Sequence, residues 1–336
     1  LLQSRASLGA LLAAALLTGS CADTGGEAPA EVFDEPVVVE IGRGLTSMEI
    51  AETLQEQGVI ASKWGFLWER LWARSATLMA GEYRFERPIS AAEAFEQLAA
   101  GRVILYPLTI PEGLNRFEIA KIVASEGWST EEEFLAITAD PSLATDILPN
   151  AKTLEGLLFP ETYSLAKTST VHDLIAAMLA GFRNALADAR GQRTAEISDW
   201  DALVLASMIE KETERADERG LVSSVFHNRL QRGMLLQCDP TIIYGLVLEG
   251  RYRGKIYRSD LSDPHAYNTY VHGGLPPGPI TNPGAGSLDA AFAPDESDYL
   301  FFCAKPGHLQ GHTFSTRLRD HNRAVQELRR HERSRR

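Results

Sequence analysis

Two carboxylates stand where an uncharged run ends. The stretch from Asp201 reads Asp-Ala-Leu-Val-Leu-Ala-Ser-Met-Ile-Glu-Lys-Glu-Thr, with no polar face between Ala202 and Ile209. Such a run marks a helix buried on most sides. At about 100° per residue, Glu210 lies almost over Leu203 and near Ala206 and Ser207, whereas Glu212 points to roughly the opposite side. Glu210 is therefore expected to be half desolvated, and Glu212 wet. A carboxyl set against apolar neighbours loses hydration of its charged form and can hold a proton near neutral pH for delivery to a leaving group. An amphipathic helix whose polar end carries solvated Glu and Lys would leave the same trace.

Other chemistries find less support. His265, His272, His308, His312 and His321 are available as metal ligands, but His308 and His312 straddle a Gly-rich turn and do not share one helix face. The three Cys, at 21, 238 and 303, show no metal spacing. There is no Gly-x-Ser-x-Gly elbow and no glycine-rich phosphate loop. No metal and no cofactor is expected, and a mechanism led by a Glu remains.

The elements around Glu210 follow from local signals. Ser198 is the expected N-cap of its helix, and Leu221 to Leu230 forms another that carries Asn228 and ends at Gly233. Gln237-Cys-Asp-Pro-Thr241 starts the next, with Asp239 as N-cap and Pro240 at the first helical position. The segment Ala266 to Gly284 is stiff with Pro and Gly yet dense in Tyr, Asn and Thr, an ordered loop suited to sugar hydroxyls and ring faces. A short helix over Ser287 to Ala293 and a strand pair, Tyr299 to Ala304 with His312 to Ser315, close the pattern. Earlier, Thr130 to Leu186 reads as helical except at Leu154 to Tyr163. There, one of Glu155 and Glu161 could sit near a cleft, or a turn could simply hold a satisfied acid.

The N-terminal part contains a repeat. Val39 to Ala51 matches Leu108 to Ala120 at Ile41/Ile110, Gly44/Gly113, Leu45/Leu114, Glu49/Glu118, Ile50/Ile119 and Ala51/Ala120, and the helix-ending Gly58 and Gly127 align as well. Each copy reads as strand, turn and helix, with Thr46 or Asn115 as N-cap. Between them Ser90 and Glu93 form a capping box. The copies are similar to small peptidoglycan-binding modules of the LysM type. Trp64, Phe66, Leu67, Trp68, Leu71 and Trp72 crowd one helix; they could stack on sugars, but packing in a small core is the expectation.

A chain of 336 residues, 44% hydrophobic, is long enough for two domains. Its net charge of −12 argues against nucleic acid as a partner. Leu8 to Thr18 is an apolar run shorter than a full span of about 20 residues, and Leu16-Leu17-Thr18-Gly19-Ser20-Cys21 resembles a lipoprotein processing site with Thr18 in an aliphatic place. Residues 1–22 are thus expected to be a signal or membrane anchor, with 23–36 a linker, 37–129 the LysM-like region, 130–327 the catalytic domain and 328–336 a basic tail. The fold class is α+β: small LysM-like βα modules followed by a larger mixed domain with a mainly helical centre.

Several motifs together resemble the endolytic murein transglycosylases of the MltG (YceG-like) family. They are Ala206-Ser-Met-Ile-Glu-Lys-Glu-Thr213, Val225-Phe-His-Asn-Arg-Leu230, Leu236-Gln-Cys-Asp-Pro-Thr-Ile-Ile-Tyr-Gly245, Tyr267-Asn-Thr-Tyr270, Gly274-Leu-Pro-Pro-Gly-Pro-Ile280, Asn282-Pro-Gly284 and Gly311-His-Thr-Phe314, with Leu108 to Gly113 and Leu154 to Tyr163. The resemblance implies cleavage of the β-1,4 bond between N-acetylmuramic acid and N-acetylglucosamine in nascent peptidoglycan, leaving a 1,6-anhydro end. The first Glu of the family's Glu-Lys-Glu falls on Glu210. By motif position Asn228, Gln237, Asp239, Tyr244, Tyr267, Asn268 and Thr269 would orient it or hold saccharide. The resemblance further implies glycan strands as substrate, peptidoglycan synthases as partners, and an inner-membrane anchor with the catalytic part periplasmic. A wall-binding scaffold without catalysis and a muramidase that uses water are the alternatives.

Overall fold

The computed structural model describes residue 28, residues 32–307 and residues 311–334. The expected anchor at residues 1–22, and His308, lie outside the described residues. The fold is mixed α+β, with small two-stranded sheets and much more helix than strand. Two compact units divide it: residues up to Leu105 with Ala166–Thr168, and Tyr106–Leu165 with Ser169 onward.

In the first unit β1 (Val37–Ile41) is followed by α1 (Ser47–Glu56), α2 (Lys63–Trp72), β2 (Gly81–Phe85) and α3 (Ala91–Ala99). β1 and β2 pair antiparallel, with Val37 opposite Phe85 and Ile41 opposite Gly81. α1 and α3 start with capping boxes, Thr46 with Glu49 and Ser90 with Glu93, so the expected Thr46 cap and the expected Ser90–Glu93 box both form. Val39, Ile41, Leu54, Phe66, Tyr83, Phe85 and Leu98 make the core. The crowded aromatic helix departs from expectation. Phe66 is fully buried, but Trp64, Trp68 and Trp72 are 65%, 58% and 75% exposed. A helix can turn only one stripe inward, and α2 gives that stripe to Gly65 and Phe66.

The division between units falls at Leu105 and Tyr106, earlier than the boundary drawn at 129. The second copy of the repeat, β3 (Leu105–Thr109) with α4 (Arg116–Ser125), therefore belongs almost wholly to the second unit. The two copies do not combine into one module, because β1 takes β2 as its partner and β3 takes β4 (Thr162–Ala166). β4 also corrects the reading of Thr130 to Leu186 as helix with one interruption. That stretch holds α5 (Glu131–Thr138), a short 3-10 turn, β4, and then α6 (Val171–Gly191).

The rest of the second unit is α7 (Asp199–Glu212), α8 (Arg219–Gln231), α9 (Asp239–Leu248), α10 (Ala285–Phe292), the antiparallel pair β5 (Phe301–Ala304) and β6 (His312–Ser315), and α11 (Leu318–Ser334). The basic tail drawn from residue 328 is the second half of α11. α7 is capped by Ser198 and packs against α8 and α10. Every residue from Ala202 to Ile209 is fully buried. Burial of a Leu stabilises by about 2 kcal/mol, so Leu203 and Leu205 alone fix this helix firmly, and with it the side chains of its last turn.

Candidate active site at the end of the central helix

Glu210 projects from the last turn of α7 with a side chain only 6% exposed. Its Oε2 accepts a hydrogen bond of 3.0 Å from the backbone N–H of Gly284, the N-cap of α10. A helix N-terminus offers unsatisfied N–H groups and a partial positive charge, which compensates a buried carboxylate. Arg219 Nη2 stands 3.8 Å from Glu210 Oε1 and 3.2 Å from Glu112 Oε2. The guanidinium thus hydrogen-bonds Glu112 and only neighbours Glu210. Oε1 is the less constrained oxygen, since Arg219 lies beyond hydrogen-bond reach of it.

Gly113 forms the wall beside Glu210. It has φ +78°, and a Cβ built there would lie 3.6 Å from Glu210 Cγ. Its N–H donates to the Asn282 carbonyl at 3.1 Å, and its own carbonyl accepts from Lys211 Nζ at 3.1 Å. At Gly284 a Cβ would meet the Glu112 carboxylate, so a larger residue there would displace the group that holds Arg219. The Pro-rich loop is tied to α7 by a 3.1 Å hydrogen bond from Ile280 N–H to Ser207 Oγ.

Behind this wall lies Glu155, which is the satisfied acid of its turn while Glu161 is exposed. Its carboxyl accepts from Arg116 N–H (3.1 and 3.2 Å), Tyr244 Oη (2.8 Å) and Asn282 Nδ2 (3.0 Å). Burial pushes its pKa up to about 7, against the opposing hydrogen bonds of Tyr244 and Arg116. Burial and the neighbouring Glu155 also push the Tyr244 phenol up, so it stays a donor. Asn282 links Glu155 to the site: it also accepts from Leu158 N–H and donates to the Leu114 carbonyl, two residues before Gly284.

Glu212 corrects the helical-wheel expectation. It is half-buried, and desolvation raises its pKa. A hydrogen bond with Cys238 and the charges of His312 and Arg229 partly offset that, while Asp239 adds to it. Burial pushes the Cys238 thiol up as well; Cys238 and Cys303 are both free. These neighbours come from elements far along the chain, which no helix projection contains.

The other residues picked from sequence scatter around the site. Tyr244 and Tyr267 meet at a tilt of 57° with ring centres 5.1 Å apart, Tyr244 buried and Tyr267 half-buried. Gln237 is exposed and takes φ +51°, while its N–H bonds the Thr269 carbonyl. Asp239 does not cap α9; Cys238 occupies that position, and Asp239, already helical, accepts 2.6 Å from Tyr270 Oη. Asn268 is buried and gives its amide to the carbonyls of Asp260 and Asp263. Thr269 is buried too, its Oγ1 meeting Cys238 N–H and Thr241. Both build the loop's frame. Asn228 donates to the carbonyls of Ser297 and Tyr299 and lines an open groove of about 1430 Å³ with Trp200, His227 and Leu275. That groove is at the other end of α7 from Glu210, ten residues or about 15 Å along the axis, so its size does not make it the site of chemistry. Arg219, Glu112 and the Gly284 N–H escaped the residue-by-residue reading. Arg219 begins a helix in a strip of mixed charge, and a backbone donor leaves no side-chain signal at all.

Among the described residues no group of His, Cys, Asp and Glu is placed to hold a metal ion. The chemistry available is proton transfer by a positioned carboxyl beside a guanidinium.

A sequence profile of the YceG-like family matches residues 39–327. An endolytic murein transglycosylase of Bacillus subtilis is 31% identical over 86% of this chain and 83% of its own length. One from Streptococcus pneumoniae is 28% identical over 87% of this chain, which spans 58% of that longer relative. A crystal structure of a yceG-like protein from Listeria monocytogenes is similar with a TM-score of 0.59 and 31% identity, covering 87% of this chain and 99% of that one.

Proposed function

Because this chain belongs to the YceG-like family, we propose that it is an endolytic lytic transglycosylase that cleaves the bond between N-acetylmuramic acid and N-acetylglucosamine in nascent peptidoglycan. The observation that carries this reading is Glu210 at the rim of the buried run of α7, with one oxygen held by Gly284 N–H and the other 3.8 Å from Arg219, beyond hydrogen-bond reach. Glu210, protonated on Oε1, gives its proton to the glycosidic oxygen as the C1–O bond breaks. The oxocarbenium-like C1 is relieved by the sugar's own acetamido group. The carboxylate then takes the proton of the C6 hydroxyl as O6 bonds to C1, closing the 1,6-anhydro ring and restoring the acid. No water is consumed, and no second carboxylate at glycosidase spacing is needed. Arg219 steadies the anionic stage, and Glu112 anchors Arg219.

Exposed Gln237 and half-buried Tyr267 remain the candidates for saccharide contact, while Tyr244, Asn268 and Thr269 act through packing and hydrogen bonds. The order strand, helix, helix, strand in the first unit, with its antiparallel pair, supports a LysM-like reading and hence a wall-binding role there. Residues 1–22 would hold the chain at the inner membrane with the catalytic unit in the periplasm, beside the synthases that make its substrate.

Mass spectrometry of digested glycan strands tests the reaction. Anhydro ends, one water lighter than reducing ends, are expected from the parent and absent from Glu210→Gln with its fold retained. Reducing ends would make it a muramidase, and glycan capture without cleavage a scaffold.

A further inference from the structure

One face of α2 takes no part in the chemistry above. Trp64, Trp68, Leu71 and Trp72 are 65%, 58%, 47% and 75% exposed, and their spacing of four, three and one residues makes a single stripe on the helix. Trp68 and Trp72 pack edge to face with centres 6.0 Å apart. An apolar stripe of this kind left in water marks an interaction surface.

Its chemistry and its place in the chain select the occupant. Between Lys63 and Trp72 there is no Asn, Gln, Ser or Thr to bind sugar hydroxyls. The stripe offers indoles and an aliphatic side chain on a convex helix. At its margins stand exposed Arg74, Arg70 bonded to the Ala73 and Ala76 carbonyls, Lys63 paired with Glu52, and one acid on the helix, Glu69. Indoles favour the headgroup layer of a bilayer, and basic flanks favour anionic lipid. The route of the chain agrees. Phe33 packs against the first unit's core, and a Cβ on Gly58 would lie 3.7 Å from its ring, so the chain enters this unit beside a turn that precedes α2 by five residues. Upstream, residues 19–32 separate Phe33 from the apolar run Leu8 to Thr18. Fourteen residues reach at most about 50 Å, which keeps α2 within range of any bilayer that holds that run.

We propose that the Trp64, Trp68, Leu71 and Trp72 face of α2 lies on the phospholipid surface, with its indoles among the headgroups. This rests on the envelope location proposed above and is independent of the chemistry at Glu210. The docked helix would hold the first unit flat on the membrane at which new glycan emerges.

Depth-dependent fluorescence quenching tests it. The full chain is mixed with vesicles of phosphatidylcholine and phosphatidylglycerol whose acyl chains are brominated near the headgroup, or are not. Three of the five tryptophans lie on this face, so bromination is expected to remove a large part of the emission, in the parent and in Glu210→Gln alike. The W64S/W68S/W72S variant, with its fold checked by circular dichroism, is expected to lose that bromine-dependent quenching, and Trp72→Ser alone to lose part of it. Equal fractional quenching of parent and variants would overturn the proposal. So would an emission shift of the parent with soluble chitooligosaccharide and none with lipid, which would make the stripe a sugar platform. If quenching persists in a Glu210→Gln protein that still cleaves glycan, the catalytic reading falls and the membrane one stands.

Discussion

The two copies of the strand, turn and helix repeat are nearly the same object locally and quite different in use. Gly44 and Gly113 take φ +82° and +78°, Gly58 and Gly127 take +71° and +76°, and Thr46 and Asn115 both close capping boxes. Yet a Cβ on Gly44 would meet nothing within 4 Å, whereas Gly113 is buried against Glu210. Arg43 is the exposed middle residue of the first turn, while Glu112 of the second holds Arg219 beside Glu210. The first helical N–H of the second copy, at Arg116, is received by Glu155. The same local instructions serve as scaffold in one unit and as a wall of the site in the other, because only the second copy has α7 and the Asn282 segment packed against its turn.

Four measurements probe this contrast. The largest effect is expected for Glu210→Gln, which removes the proton donor but keeps the shape: turnover to anhydro products should fall by about 10³-fold, with little change in thermal midpoint. A loss below tenfold would detach the second copy's turn from catalysis altogether.

Glu155 gives the next largest, and it acts on stability. Its folded pKa of about 7 lies above the ordinary value of 4.5. The contribution is therefore fully present below about pH 4.5 and is lost as pH rises through 7, amounting to about 3 kcal/mol. Denaturant unfolding across that window should show a decline for the parent that is flattened in Glu155→Gln. An unchanged slope would mean that Glu155 does not hold its proton.

Arg219→Lys keeps the charge but loses the planar fork, and turnover should drop by about tenfold without a change in the type of product. Finally, Gly44→Ala and Gly113→Ala each force a left-handed alanine, at a cost of about 1 kcal/mol in chemical unfolding. Activity should fall only for Gly113→Ala. Equal activity in both variants would show that the turn's closeness to Glu210 is incidental.

Much of the fold was legible because its signals are local. The helix-ending glycines, the repeat and every predicted cap except Asp239, whose place Cys238 takes, read correctly, and the uncharged run of α7 announced its own burial. Strand β4 did not, since a five-residue segment after a Gly and Pro turn carries too little periodicity to stand out from helix on either side. Of the site, Glu210 could be found on the helix surface, but Glu212 was misjudged because Arg229, Cys238, Asp239 and His312 come to it from later elements. The tryptophans of α2 show the same limit. A crowd of aromatics states that something apolar must be covered, and not whether the cover is the protein's own core.

From the order of residues alone came the starts and stops of the well-capped helices, the burial of α7 and the acid at its end, because capping, backbone preference and helical periodicity act over a few residues. The meeting of Gly113, Glu155, Arg219, Asn282 and Gly284 around that acid was decided by packing. Hydrogen bonds and desolvation depend on distance in space, and these partners lie up to about 170 residues apart in the chain.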